Sequence, residues 1–317
     1  NQMLNDPTGA NEVMDDELRV LQARDPDTGV PFATILNLNA HPTVIGSSNL
    51  KATGDWPQFA NKLMTQDGAT FGTKALTIVG TLGRQQPARG DCPDKVLAAK
   101  GDSDAQAAIC KATQYAARVI ARAKEVALPA AKLIDGKPEV VAKTYFIQDP
   151  ATNAGIMALN DVGEAGGAPI MRSNTPPWRT GNVVGSVTGT ARIGNVILSS
   201  MPGEAYPQIP LDVRAGLEDS GIKGFMTAGL SNDQLGYIIA NMPEAYPQVL
   251  IRGAQGNDNI LFNMSQTLGE RLTCSLLRGA GEVTDKGTTY RDANPRCTAF
   301  ANDLAWGEGA DVGTFPF

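Results

Sequence analysis

Apolar residues in this chain follow two different periods, and their alternation limits the fold more than any other feature. Strand-length runs such as Ala33–Leu38 (ATILNL) and Ala75–Val79 are interleaved with segments of helical spacing. The longest of these is Ser103–Val126, where Ala107, Ile109, Ala112, Tyr115, Ala116, Val119, Ile120 and Ala123 fall on one face before Pro129 ends the helix. Glu17–Gln22 and Ala33–Leu38 flank the turn-forming Asp25–Pro31 (DPDTGVP), which predicts a hairpin. Asp55–Met64, with Asp55 ahead of Pro57 and apolar Phe59, Leu63 and Met64, reads as an N-capped amphipathic helix. Further strands are expected at Val140–Gln148, Asn182–Thr190 and Ala191–Ser199, and helices at Leu211–Glu218 and Asn263–Arg278. Ser173–Trp178 (SNTPPW) reads as a proline loop and the stretch from Gly279 as loop-rich. Strands mixed with helices, some paired as hairpins, predict a mixed α/β layered sheet rather than a strictly doubly wound one. Residues 1–15 are polar and turn-rich and read as an extended arm, leaving 16–317 as a single α/β domain.

With 42% hydrophobic and 19% charged residues over 317 positions, the chain has a globular composition and can bury a substantial core. The net charge is −6 and the lysines and arginines are scattered singly, so no basic stripe is present to track a phosphate backbone. Apolar runs never reach the length of a membrane span. The numbering opens at Asn1 with neither an initiator Met nor an apolar leader, which is the expectation for a processed chain. Four cysteines fall as two local pairs, Cys92 with Cys110 and Cys274 with Cys297. Three connectivities are open to them, of which pairing of neighbours is the simplest. Cys92 (ARGDCPD) and Cys297 (DANPRC) lie in polar loops that suit a disulfide better than a buried thiol, which implies an oxidising, secreted or cell-envelope setting.

Chemistry concentrates at the strand ends. The segment TILNLNAHPT drives an apolar strand into His41-Pro42, and His41 is the only histidine in the chain. Gly194–Ser199 runs into Pro202-Gly203-Glu204, which places a carboxylate equivalently. Gly229–Tyr237 (GLSNDQLGY) is a turn-rich loop that ends in a phenol. Strand ends are where α/β proteins build sites, and imidazole, carboxylate and phenol together are competent ligands for Zn²⁺. Taken singly, a lone histidine is more often structural and a lone tyrosine more often core. Met201–Ile209 (MPGEAYPQI) is echoed at Met242–Val249 (MPEAYPQV), two loops of similar chemistry without a third copy. Trp56, Trp178 and Trp306 stand beside Pro or Gly, where aromatic rings can line a cleft.

Three blocks in one order resemble the neutral ceramidase family. HPTVIGSSNLKATGD (His41–Asp55) is similar to its zinc-binding His segment with the Gly-Asp that follows, and ARIGNVILSSMPGEAY (Ala191–Tyr206) to its strand ending in a zinc-binding glutamate. The loop holding Asn232 and Gly236-Tyr237 resembles the segment of its tyrosine ligand, and Cys92 and Cys110 are placed like the cysteines after its nucleophile loop. The resemblance covers roughly residues 17–262 in scattered blocks. It implies zinc held by His41, Glu204 and Tyr237, and hydrolysis of an amide bond in N-acylated lipids.

Two departures matter. Where the family's nucleophile loop carries its serine, Gly80-Thr81-Leu82-Gly83-Arg84-Gln85-Gln86-Pro87 has Gln86, whose amide cannot become a nucleophile. Arg84 replaces an aspartate and offers a fixed guanidinium to a carboxylate, phosphate or oxyanion. A further histidine ligand of the family lies upstream of the His41 block. Another polypeptide could supply it, water could fill the gap, or the metal could be lost; the processed-looking start favours the first, so a second chain or a cleaved N-terminal segment is the expected partner that completes the metal shell. The function expected is a zinc-dependent hydrolase using activated water, with Arg84 and Gln86 as its catalytic-loop residues and a small molecule or lipid as substrate. A non-catalytic secreted binding or structural protein on the same scaffold is the alternative. A serine triad ranks last, because no G-x-S-x-G elbow exists.

Overall fold

The computed structural model describes residues 13–46, 49, 51–87, 92, 104–134, 139–153, 156–157, 170–173, 181–240 and 262–297. Most of the expected N-terminal arm, the proline loop at 174–178, the second echo at 242–249, and Trp178 and Trp306 lie outside the described residues. The chain divides into two compact units, one formed by Asp16–Gly80 and Gln85–Leu133, the other by Asn1–Asp15, Thr81–Arg84 and Ile134–Phe317.

In the first unit, β1 (Arg19–Arg24) and β2 (Pro31–Leu38) form the expected hairpin, and β3 (Lys74–Val79) joins β2 in parallel. The hairpin turn is set by the Asp25 carboxylate, which accepts the N–H groups of Asp27 and Thr28 and the Thr28 hydroxyl. The crossover between β2 and β3 contains α1 (Asp55–Gln66), which packs on β3 and on α2 (Asp104–Arg122). The face α2 buries is built mostly of alanine (Ala108, Ala112, Ala116), small enough for α1 to approach with Trp56, Ala60 and Met64. Trp56, for which the sequence leaves a cleft-lining and a sealed position both open, is fully buried here and makes a T-shaped contact with Tyr115, the ring centroids 5.4 Å apart. Pro129 does not stop α2 outright. The helix widens into one π turn at Ala123–Ala127 and closes with Leu128–Ala130, because proline lacks an N–H and crowds the carbonyl four residues back. A disulfide joins Cys92 to Cys110 on α2, with Cα atoms 5.8 Å apart.

The second unit is organised by β6 (Gly181–Ile193), which pairs along its length with β4 (Val140–Pro150) in antiparallel register. Its other edge is shared by β5 (Ile170–Ser173) and β7 (Val196–Ser200), and β9 (Gly224–Ala228) extends the sheet parallel to β7. The return from β7 to β9 runs through α3 (Gln208–Gly216). Against β4 and β6 lies α4 (Leu268–Val283), buried on almost every side, and a short α5 (Thr289–Ala293) follows it. The contact is close because Gly279 has no Cβ; one placed there would come within 2.5 Å of the Thr190 hydroxyl. Polar groups inside this layer are matched, as in Thr188 with Ser275 at 2.7 Å and Thr190 with Ser199 at 3.1 Å. At the head of α4 the buried Asp149 and Arg271 form an ion pair of 2.9 Å, and Ser265 and Thr267 donate their hydroxyls to the same carboxylate. The second disulfide, Cys274 to Cys297, ties α4 to the segment after α5 with Cα atoms 5.5 Å apart.

This is the mixed α/β class that the alternation predicts, with a few displaced boundaries. The helix expected from Asn263 begins at Leu268, since Asn263, Ser265 and Thr267 spend their side chains on other segments. That helix runs on to Val283 and is followed by α5, so the stretch after Gly279 is more helical than its loop-forming residues suggest. The helix expected at Leu211–Glu218 starts at Gln208, because Pro210 in its first turn needs no N–H partner. Among the described residues no helix is long and apolar enough to cross a membrane.

Candidate functional site

Two loops leave the carboxyl ends of the parallel strands β7 and β9 and interlock through their backbones. Met201 N–H donates to Ala228 O (2.8 Å), Ser231 N–H to Met201 O (3.0 Å), and Leu235 N–H to Pro202 O (2.9 Å). Asn232, in left-handed conformation, ties the second loop to the first strand by donating to Val187 O and to the Ser200 hydroxyl. The loops then form a short parallel pair, β8 (Glu204–Ala205) with β10 (Tyr237–Ile238), in which Glu204 and Tyr237 are register partners. Paired residues on adjacent strands project to the same side of a sheet, about 4.8 Å apart. The structure therefore places Glu204 and Tyr237 side by side in the backbone.

Glycines make this pairing fit. A Cβ on Gly203 would lie 2.6 Å from Gly236 O, and one on Gly236, where φ is +73°, would lie 2.3 Å from Phe262 O. Asn263 then grips Tyr237 by donating to its carbonyl at 2.9 Å, while Asn153 holds the Asn263 carbonyl at 2.7 Å. The Thr81–Arg84 loop rests on the same segment. Gly83 N–H donates to Ala205 O at 3.0 Å, and a Cβ on Gly83 would collide with Tyr206 at 2.3 Å. Arg84 follows, exposed and in left-handed backbone with φ +57°.

His41 stands in the first unit, just past the end of β2, and is 8% exposed. Its N–H donates to Gln85 O at 2.8 Å and its carbonyl accepts the indole N–H of Trp56 at 3.1 Å. Gln86 is exposed, and its amide oxygen accepts the Thr43 hydroxyl at 2.9 Å. The loop after His41 closes on Asp55, whose carboxylate accepts the N–H groups of Val44 (3.2 Å), Ile45 (2.8 Å) and Trp56 (2.6 Å). Sequence reading takes Asp55 for the N-cap of α1. In the structure Gly54 is the cap and Asp55, at φ +50°, serves the histidine loop as well as the helix start. Motif reasoning did not foresee the contacts that Asp55, Trp56 and Gln85 make with the His41 segment or that Asn263 makes with Tyr237. The Gly-Asp following the His-Pro block was a signal for the first of these, whereas Asn263 carried none.

As donors for a metal, the residues are chemically suited to zinc. Glu204 offers a carboxylate, Tyr237 a phenol and His41 an imidazole, and the Glu204 Oε2 and His41 Nε2 atoms are each shielded from solvent. Among the described residues no group of three or more His, Cys, Asp or Glu gathers as a metal cluster, a pattern that a set with one imidazole, one carboxylate and one phenol does not need.

No protein-family model matches this chain, and no curated protein matches it by sequence. Solved structures do. The neutral ceramidase of Pseudomonas aeruginosa aligns over 90% of this chain with a TM-score of 0.63 at 17% identity. A ceramidase complexed with C2 aligns over 90% with a TM-score of 0.61 at 16% identity. The chain spans about half the length of these proteins, 50% and 51% of their chains. Its fold is that of the neutral ceramidases.

Proposed function

We propose that the chain is a zinc-dependent hydrolase of amide or related acyl bonds, with N-acylated lipids as the substrate class. The observation that carries this reading is the register pairing of Glu204 with Tyr237 beyond the ends of β7 and β9, in a fold shared with ceramidases. Glu204, Tyr237 and His41 would hold the zinc, with a second chain or a cleaved N-terminal segment supplying the rest of the protein shell. When bound, the metal supplies Lewis acidity, which polarises a carbonyl and acidifies water. The protein's own groups have separate tasks. Arg84, exposed and permanently charged, binds an anionic group of the substrate or the developing oxyanion. Gln86 engages Thr43 and keeps the loop beside His41 in place; its amide has no nucleophilic role, so attack falls to water. The two disulfides favour an extracellular or cell-envelope setting.

Metal analysis combined with hydrolysis of a fluorogenic N-acyl amide tests the reading. Stoichiometric zinc, with both metal and activity lost in His41→Ala and Glu204→Gln while the fold persists, is the expected result. Full activity in either variant would overturn it. The presence of an amide at the serine's place favours a second reading, a binding protein on the same scaffold. Metal-free protein without hydrolytic activity would select that one.

A further inference from the structure

We propose that Asp55 and Trp56 are positioning residues for His41, acting through its backbone to set the strength of metal binding. This inference rests on the metal reading given above. His41 is held at both of its peptide groups, by Gln85 O at its N–H and by the Trp56 indole at its carbonyl. Pro42 fixes the next φ, so the loop must turn at once. That turn is closed by Asp55, 4% exposed, which collects the N–H groups of Val44 and Ile45 on its two carboxylate oxygens while also accepting the N–H of Trp56. One dipeptide therefore fixes the histidine from two directions. The carboxylate sets the course of the chain leaving His41, and the indole reaches back to the residue itself.

Two costs point to a role beyond starting the helix. Asp55 takes a left-handed backbone at φ +50°, which is unfavourable for any residue with a Cβ and least so for Asp and Asn. The indole N–H of a fully buried tryptophan is spent on the one backbone carbonyl that belongs to the histidine. A helix start needs neither arrangement. A ligand whose orientation must be held to a fraction of an ångström needs both.

Asp55→Asn keeps the side-chain shape and the tolerance for left-handed backbone but turns one acceptor into a donor facing a peptide N–H. Trp56→Phe keeps most of the ring and removes the N–H. Zinc affinity is measured by chelator competition for wild type, Asp55→Asn, Trp56→Phe, His41→Ala and the double variant Asp55→Asn/His41→Ala, with near-ultraviolet circular dichroism checking the fold. The expected result is a roughly 10-fold loss of affinity in Asp55→Asn and a smaller loss in Trp56→Phe. In the His41→Ala background the Asp55 change should cost nothing further, because its effect passes through the histidine. Equal losses in both backgrounds would reveal a merely structural role and overturn the proposal. Zinc binding that depends on His41 but is untouched by either variant would overturn the positioning role alone. A wild-type protein that takes no zinc, or a His41→Ala variant that binds as well as wild type, would overturn the metal reading and the positioning role with it. If Asp55→Asn fails to fold, Trp56→Phe decides, since an unchanged affinity there removes the indole arm.

Discussion

Gly236→Ala is the sharpest probe of the Glu204–Tyr237 pair, and the structure supplies its control. Gly236 and Gly221 both occupy left-handed backbone, with φ of +73° and +80°. A Cβ on Gly221 meets nothing within 4 Å, whereas one on Gly236 falls 2.3 Å from the Phe262 carbonyl oxygen. The conformational cost is common to both, roughly 1–2 kcal/mol for an L-residue in this region, offset by about 0.4–1 kcal/mol from the stiffer unfolded chain. Gly221→Ala should therefore lose about 1 kcal/mol. Gly236→Ala must in addition move Phe262 or Tyr237 by roughly 1 Å to restore ordinary contact, an overpacking strain of about 1–3 kcal/mol. Its total is then about 2–4 kcal/mol. Urea unfolding measures both losses, and zinc affinity should fall in Gly236→Ala alone, since only that residue abuts the pair. Equal destabilisation of the two variants would refute the steric argument. Unequal destabilisation with unchanged zinc affinity would show that the glycine serves folding and not the site.

Asp149→Ala removes the buried carboxylate that pairs with Arg271 and accepts from Ser265 and Thr267; a loss of about 3–5 kcal/mol by urea unfolding is expected, and a loss below about 1 kcal/mol would refute a large contribution from the pair. Replacing Cys274 and Cys297 together by alanine opens a loop with a sequence separation of 23 and should cost roughly 3 kcal/mol, checked by comparing unfolding midpoints of the variant and wild type. Burial holds the Tyr115 phenol above its ordinary pKa of 10.0, with the Arg118 charge acting in the opposite direction. Its stabilising contribution is therefore complete below pH 10 and lost as pH rises through the folded value; Tyr115→Phe should flatten the alkaline fall in stability, and an unchanged slope would assign that fall to other groups.

The parts of the fold that were legible from the sequence were those in which local pattern and tertiary structure agree. The β1–β2 hairpin follows from DPDTGVP, and the course of α2 follows from a run of alanines at helical spacing. Boundaries slipped where a side chain prefers a distant partner to its own helix. Asn263 and Ser265 read as helix formers in an apolar-periodic window, but one is bonded to Tyr237 and the other to Asp149. Periodicity contains no information about partners so far away in the chain. The same holds for the site. The sequence shows Glu204 beyond a strand end and Tyr237 at the end of a turn-rich loop, and their pairing in register depends on Gly203 and Gly236, whose importance appears only when a missing Cβ is tested against the neighbouring carbonyl.

Gln86, at the position where the resemblance to the ceramidases would place a serine, has a defined partner in the structure. Its amide oxygen accepts the Thr43 hydroxyl, while Gln85 beside it accepts the N–H of His41. Two adjacent residues, Gln85 and Gln86, thus hold the histidine segment at two points. A serine there has too short a side chain to make the Thr43 contact from the same backbone position. Glutamine at this position supplies an amide that orders the loop beside the imidazole and that cannot itself become a nucleophile.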